Sequence, residues 1–145
     1  MTLKHDAHKP AGAFSLNACE TDPAWYDGDG TEDNKNNIQK VIFDPSFANA
    51  RPTNCYSWFF GCKDLTTIEG IGYLNTENVT SMRAMFSGCS SLTSLDVSNF
   101  KTQNVTSMRA MFSRCRSLTS LDVSKFNTDK VTSMRTMFVG CNNLT

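Results

Sequence analysis

The sequence is dominated by a unit of 26 residues that occurs twice without a gap and then begins a third time. Residues 79–104 (VTSMRAMFSGCSSLTSLDVSNFKTQN) are followed directly by residues 105–130 (VTSMRAMFSRCRSLTSLDVSKFNTDK), and residues 131–145 (VTSMRTMFVGCNNLT) repeat the first part. A fixed period of this length is typical of solenoids, in which each unit buries its apolar face only against its neighbours.

The spacing of the apolar residues changes within each unit. From Val79 to Cys89 they recur every three or four residues, which predicts a short helix that ends near Gly88. From Leu95 to Val97 they alternate with polar residues, which predicts a short strand. The predicted fold class is therefore an α/β repeat, a leucine-rich-repeat-like solenoid with one short helix and one short strand per coil and a parallel sheet on one face.

A comparison of the two complete copies predicts which residues face the core. The copies differ at six positions, and all six lie at predicted turns or in the loop that follows the strand. The predicted core positions are identical in both copies, and in the first copy they are Val79, Met82, Met85, Phe86, Cys89, Leu92, Leu95, Val97 and Phe100.

The part of the chain before the repeats is less regular. Ile38–Phe47 and Pro52–Asn78 read as degenerate forms of the unit, which predicts a solenoid of about four coils over residues 38–145, the last incomplete. Residues 1–37 lack the repeat and are predicted to form an N-terminal cap and a polar loop. The acidic stretch from Asp27 departs from a calcium-binding loop, because the twelfth residue is isoleucine where a glutamate ligand is needed.

The repeat motifs, together with the leader VIFDPSFANARPTNCYSWFFGCKDLTTIEGIGYLNTENVTSM, resemble those of the BspA-like leucine-rich-repeat surface proteins of bacteria. The resemblance covers roughly residues 38–145. It implies an extracellular protein of the cell surface that binds proteins or glycans on host or neighbouring cells. It also implies that any attachment to the membrane is made through an anchor outside these residues.

Candidate binding residues lie at the outward positions of the predicted strands, because solenoids use their extended concave surface for recognition. Asp96 and Asp122 would be neighbours across a strand pair, which is unfavourable for like charges. Their repetition predicts a use, which is a bound cation, a bond to a loop N–H or a ligand; plain solvent exposure is the alternative for the face as a whole. The predicted face consists of Thr67, Glu69, Ser94, Asp96, Ser98, Ser120, Asp122 and Ser124.

A second candidate surface is a column of arginines, formed by Arg83, Arg109 and Arg135 at the same position of successive units. Stacked positive charges favour an acidic partner or a glycan. The alternative is a solvated charged face, which is the usual environment of such side chains.

Four of the six cysteines, Cys62, Cys89, Cys115 and Cys141, also occupy one repeat position. Side chains in one column face the same way, so the pattern favours buried free thiols over disulfides. Cys55 and Cys62 are the best candidates if one disulfide exists. No cysteine pair has the short spacing of a zinc site, so no metal is predicted.

Several function classes are disfavoured by the sequence. The repeats contain no histidine that could activate a hydroxyl, so neither an enzyme nor a cofactor is predicted. No Arg/aromatic platform suited to nucleic acid is present, and no apolar run reaches the ~20 residues that span a bilayer. Two functions remain: a ligand-binding or adhesion module, and a structural spacer in a larger surface protein.

Overall fold

The computed structural model describes residues 1–4 and 35–145. Its strands form one three-stranded parallel sheet in chain order, and its helices are short 3₁₀ helices. In chain order the elements are β1 (Thr2–Leu3), η1 (Lys35–Asn37), β2 (Lys40–Phe43), η2 (Pro45–Asn49), β3 (Thr67–Glu69) and η3 (Ile71–Tyr73).

The sheet joins three short segments that are far apart in the sequence. Val41 of β2 lies opposite Ile68 of β3, and Ile42 of β2 lies between Thr2 of β1 and Glu69 of β3. Inward and outward side chains alternate along β2, where the two apolar residues that point inward are fully buried. The predicted parallel sheet is therefore confirmed for the strands that precede the repeats.

The predicted strand at residues 95–97, and its equivalent at 121–123, is wrong, because the described chain has no hydrogen-bonded strand after Glu69. Just before this segment, the N–H of Ser91 donates to the carbonyl of Lys63 at 3.2 Å. The next lateral bond comes only at Lys101, whose N–H donates to the Thr76 hydroxyl at 2.7 Å. The residues between these two bonds join no strand ladder.

The predicted helix at residues 79–89 is also wrong, because the chain forms consecutive turns there. The N–H of Met85 donates to the carbonyl of Met82 in its own unit, at 3.2 Å. The N–H of Phe86 donates instead to Met111 of the next unit, at 2.9 Å. Donors therefore alternate between the two units, whereas an α-helix would use all of them internally.

The backbone conformation explains why these turns do not continue as a helix. Each unit has two residues with a positive φ, four positions apart; in the first copy they are Ala84 at 55° and Gly88 at 82°. A left-handed residue breaks the right-handed helix, and the N–H groups of Ala84 and Gly88 themselves donate to the next unit. The corresponding pairs in the preceding unit and the later copies are Ser57 and Gly61, Ala110 and Arg114, and Thr136 and Gly140.

Threonine side chains strengthen the contact between units. The hydroxyl of Thr80 donates to the carbonyl of Thr53 at 3.2 Å. Thr106 donates in the same way to Thr80 at 3.1 Å, and Thr132 donates to Thr106 at 3.0 Å. Each of these carbonyls also accepts the backbone N–H of the same threonine. These hydroxyls therefore hold neighbouring units together.

The core follows the sequence prediction closely. All nine predicted core residues of the first copy are buried except Leu95, which is partly exposed and packs against the core. Phe59, Phe86, Phe112 and Phe138 stack with centroid distances of 5.5, 5.8 and 5.7 Å. The inside of the protein is therefore a column in which the same side chain recurs from one unit to the next.

Residues 5–34 lie outside the described part of the chain. The predicted cap, the acidic stretch from Asp27 and the proposed boundary at residue 37 are therefore not tested. Within residues 1–4 and 35–145, no helix has the length and apolar character needed to cross a bilayer.

Candidate functional site

The predicted strand face is exposed, although it is not built from strands throughout. Thr67 and Glu69 lie on β3, on either side of the partly buried Ile68. The corresponding side chains of the two copies are exposed, except Ser98, which is half-buried; they are Ser94, Asp96, Ser98, Ser120, Asp122 and Ser124. The outward orientation of these positions was thus predicted correctly from the alternation in the sequence.

The two repeated aspartates of this face form the same local turn. Oδ1 of Asp96 accepts the N–H of Ser98 at 2.9 Å, and Oδ1 of Asp122 accepts the N–H of Ser124 at 2.8 Å. Asp44 makes the same bond to a serine two residues later and caps η2. Such bonds are typical of aspartate in turns. Of the three uses that the sequence predicted, a bond to a loop N–H is the one that the structure contains.

These bonds also fix the charge of the face. Hydrogen bonds from Ser98, its side chain first and then its N–H, lower the pKa of Asp96 below its usual value. Ser124 lowers the pKa of Asp122 in the same way. The ammonium group of Lys125 contributes to both shifts by charge attraction. The face therefore carries two ionised carboxylates at neutral pH, with one lysine close by.

Each carboxylate keeps an acceptor for an outside partner. The turn bond of Asp96 and that of Asp122 use Oδ1, and neither carboxylate forms an ion pair with a described residue. A carboxylate accepts about four hydrogen bonds, so the bonds from the serine leave acceptor capacity. Glu69 differs, because its carboxylate pairs with Lys40 at 2.6 Å. The available acidic groups are thus concentrated in the two complete copies.

The arginine column is not uniform. The guanidinium group of Arg83 lies 5.3 Å from the centre of the Tyr56 ring, a cation–π contact, and the side chain is half-buried. Arg109 and Arg135 are exposed, and their side chains form no ion pair with any residue in the described ranges. Only these two arginines therefore remain as candidates for an acidic partner.

The cysteines of the column are structural. Cys55, Cys62, Cys89 and Cys115 are free and buried, so the disulfide considered for Cys55 and Cys62 is absent. The prediction of buried free thiols in the column is confirmed for Cys62, Cys89 and Cys115. Cys141 is free but only half-buried.

Each later thiol of the column binds backbone of the preceding unit. Cys89 Sγ donates to the carbonyl of Phe59 at 3.1 Å, and Cys115 Sγ donates to Phe86 at 3.2 Å. Burial raises the pKa of Cys62 and that of Cys115 to about 12. Thiolates are the reactive form of cysteine, so these side chains are poor nucleophiles.

The described residues contain no group of three or more His, Cys, Asp or Glu side chains placed to hold a metal ion. Many of the hydroxyls that the sequence offers are engaged as donors to backbone carbonyls, as in the threonine ladder. In the part of the chain that the structure describes, no arrangement of nucleophile and base stands out.

The sequence reasoning missed a polar cleft at the junction between η3 and the first complete copy. The cleft has a volume of about 290 Å³, and Tyr73, Asn75, Asn99 and Lys101 contribute its polar lining. One signal pointed to it, since the preceding unit carries an extra residue near Gly72. A Cβ at Gly72 would lie 2.7 Å from Nδ2 of Asn99, so the glycine permits the close approach of the two walls.

Comparison with known proteins gives one match. The family described as "Mycoplasma protein of unknown function, DUF285" matches residues 53–145, which include every complete copy of the repeat. No curated protein and no solved structure matches the chain. Because the match covers more than half of the chain, this protein belongs to the DUF285 family.

Proposed function

We propose that this protein is a non-enzymatic ligand-binding module of a cell surface, built as a leucine-rich-repeat-like solenoid. The observation that carries the proposal is the pair of aspartates, Asp96 and Asp122, which expose a carboxylate without an ion-pair partner among the described residues at the same position of the two complete copies. The partner that fits is a protein or a glycan that offers N–H or hydroxyl donors in a row.

The solenoid assignment is supported by bonds that repeat with the period of the sequence. Single parallel bridges join Asn54 to Ser81, Ser81 to Ser107, and Ser107 to Ser133. The phenylalanine stack and the threonine ladder follow the same order. Contacts of this kind make each unit depend on its immediate neighbours, as in other repeat proteins.

This assignment has its own test, which leaves both ends of the chain unchanged. A second copy of residues 105–130 is inserted between Lys130 and Val131. If units add by stacking, the longer protein folds cooperatively. Small-angle X-ray scattering then gives a larger radius of gyration and a larger maximum dimension, as expected for a more elongated particle. An insert that is digested by protease while the remainder stays folded would contradict the assignment.

The binding face is supported by its rigidity as well as by its charge. The turn bonds at Asp96 and Asp122 hold each carboxylate before any partner arrives. A side chain that is already ordered loses less conformational entropy on binding, so more of its interaction energy contributes to affinity. The serines between the aspartates supply hydroxyls that both donate and accept. The similarity of the repeat motifs to BspA-like proteins supports an extracellular setting and a partner on host or neighbouring cells.

The test is a binding screen of the folded protein against extracellular-matrix proteins, glycans and intact cells. The variant is Asp96→Asn with Asp122→Asn, because asparagine Oδ1 still accepts the turn bond while both charges are removed. The control is Asp64→Asn with Asp129→Asn, which removes two charges outside the face. We expect binding to fall about tenfold or more in the variant only, since charge-assisted hydrogen bonds are roughly twice as strong as neutral ones. Equal binding by both double variants would overturn the proposed face.

A structural spacer is the second candidate, and one observation favours it. The two complete copies differ at six positions, so their surfaces offer little local variety for recognition. A spacer predicts that the folded protein binds no member of the screen specifically and saturably. A saturable interaction that is lost in the Asp96/Asp122 variant would exclude this function.

A further inference from the structure

The cleft beside η3 is the place where the regular arrangement of units is interrupted. Tyr73 ends η3 and is 42% exposed, although it is a large aromatic residue. Across the cleft lies Asn99, at the turn that follows the Asp96 bond in the first complete copy. The cleft shares no residue with the strand face, so the inference drawn from it does not depend on the function proposed above.

Polar atoms in the cleft are free to bind a ligand. The side chains of Tyr73 and Asn99 make no hydrogen bond to any described residue. Asn75 uses Oδ1 to accept the N–H of Glu77 at 3.0 Å, which leaves its two amide hydrogens available. The cleft therefore offers a phenol, a complete amide and an amide donor within one concavity.

The walls of the cleft are held before a ligand arrives. Thr76 is buried, and its hydroxyl donates to the carbonyl of Lys101 at 3.1 Å and accepts the N–H of Lys101 at 2.7 Å. These two bonds join the unit that contains η3 to the first complete copy. Leu74 and Ala48 supply apolar lining beside them. Ligand sites commonly combine such a preformed concave shape with a few placed polar groups.

The charge of the cleft is balanced. The ammonium group of Lys101 lies 3.7 Å from Oε2 of Glu77, and both side chains are more than half exposed. The pair leaves no excess positive charge, so the cleft does not favour a phosphate or sulfate group. The free groups suit a neutral ligand that carries many hydroxyls and has one apolar face.

We propose that this cleft binds a neutral saccharide, with the apolar face of a sugar ring against Tyr73 and its hydroxyls bonded to the amides of Asn75 and Asn99. An exposed tyrosine provides a flat apolar ring and a polar hydroxyl. This combination suits a ligand that has one apolar face and hydrated hydroxyl groups. The amide of Asn99 can both donate and accept, and the amide of Asn75 donates, as bonds to sugar hydroxyls require. No covalent step is involved.

The second complete copy provides a natural control. It has Lys125 where the first copy has Asn99, and Asn127 where the first copy has Lys101. The amide of Asn127 is already engaged, because its Nδ2 donates to Asp129 Oδ2 at 3.1 Å. Each of these two repeat positions therefore accommodates either asparagine or lysine. The free side-chain amide of Asn99 occurs in the first copy.

The experiment measures binding of the full chain to immobilised neutral mono- and oligosaccharides of glucose, galactose, mannose and N-acetylglucosamine, with sialylated and sulfated glycans alongside. Two variants alter the cleft: Tyr73→Ala, and the exchange Asn99→Lys with Lys101→Asn. The matched control makes the opposite exchange in the next copy, Lys125→Asn with Asn127→Lys. Thermal unfolding of each protein confirms that it is folded.

We expect the parent and the control to bind a neutral saccharide equally, and both cleft variants to lose about tenfold or more in affinity, because one variant removes the ring under the sugar and the other removes the amide that bonds its hydroxyls. Binding to none of the saccharides, binding to the charged glycans alone, or equal loss in the cleft variants and the control would overturn the proposal. Because the Asp96/Asp122 variant leaves the cleft intact, retention of saccharide binding by that variant separates this site from the proposed strand face.

Discussion

Residues 35–78 and residues 79–145 bury similar side chains in different ways. In the first region Phe43, Phe47, Trp58 and Phe59 meet edge to face, with interplanar angles from 80° to 90°. In the second region the rings are stacked, and Phe86 and Phe112 are inclined by only 1°. The first region also contains two of the three strands and all three 3₁₀ helices, whereas the second contains turns and single bridges.

The difference follows from sequence identity. Copies with the same sequence adopt the same local conformation, so each side chain meets its own counterpart one unit away and equal rings become parallel. Where successive units differ, the rings need not match and take the edge-to-face arrangement that aromatic pairs often prefer. Strict repetition thus gives order along the stack, and departure from it gives local features such as η3 and the cleft beside Tyr73.

The largest effect is expected where the two regions meet. Phe59 contacts Phe43 and Trp58 edge to face and stacks on Phe86, so Phe59→Ala removes contacts from both arrangements. We expect the free energy of unfolding to fall by about 3–5 kcal/mol, measured by chemical denaturation. The matched control is Phe138→Ala, whose ring is 40% exposed and stacks on one side only. Equal losses in the two variants would contradict the view that Phe59 joins the regions.

The thiol column crosses the boundary between the regions and predicts a loss of stability in alkali. Burial raises the pKa of Cys62, in the first region, and of Cys115, in the second, from 9.0 to about 12. Folding therefore favours the neutral thiol, and this stabilisation is complete below pH 9.0 and declines between pH 9.0 and about 12. Each thiol contributes a slope of about 1.4 kcal/mol per pH unit.

The measurement is the free energy of unfolding against pH, for the parent and for Cys62→Ala and Cys115→Ala. Each variant should have a shallower decline above pH 9.0 than the parent, and the two declines should be similar. In the native state at neutral pH, a thiol reagent should modify the half-buried Cys141 before the buried members of the column. A decline that neither substitution changes would show that other groups cause it.

A smaller effect is expected at a position where the two complete copies differ. Gly88 has a φ of 82°, and the equivalent Arg114 adopts a φ of 60°, which L-residues rarely take. Arg114→Gly should raise the free energy of unfolding by about 1 kcal/mol, because it relieves this conformation. Gly88→Ala should lower it by a similar amount, since the new Cβ would also lie 3.3 Å from Cα of Gly61. Thermal unfolding of both variants tests whether the free energy of unfolding changes in opposite directions. A loss of stability in Arg114→Gly would mean that the contacts of the arginine side chain outweigh the backbone strain.

The smallest effect is expected in the sheet of the first region. Lys40 and Glu69 are paired at 2.6 Å across β2 and β3, but both side chains are about half exposed. Lys40→Ala should change the free energy of unfolding by less than about 1 kcal/mol, because solvent screens exposed pairs. Chemical denaturation at low and at high salt checks this, and the difference between parent and variant should shrink as salt increases. A loss as large as that of Phe59→Ala would show that the sheet, and not the aromatic cluster, stabilises the first region.

Much of the inside and outside of this protein could be predicted from the sequence, even where the secondary structure could not. Met82, Met85 and Phe86 were assigned to the core as one face of a helix, and they are buried although no helix forms. The assignment survives because the turns also close bonds between residues three apart, which returns the chain to the core at the same spacing. A spacing of three to four residues is thus common to both conformations.

The role of Asp96 and Asp122 was predicted only as one of three possibilities. The sequence shows that an aspartate recurs, but only the folded chain shows that Oδ1 accepts a serine N–H while the carboxylate stays exposed. The cleft at Tyr73 was not predicted, because its walls come from different units and its depth depends on the close approach of Gly72 to Asn99.

By itself, the sequence determined the period of the stack, the apolar residues that fill it, the free thiol column and the exposed positions of the face. Hydrophobic spacing and exact repetition are local properties, and they can be read along the chain. The tertiary structure alone decided where the backbone N–H groups donate. Because half of the donors in the turn segment bond to the next unit, the choice between helix and turn depends on a carbonyl 25 residues away in the repeats, and no local pattern contains that information.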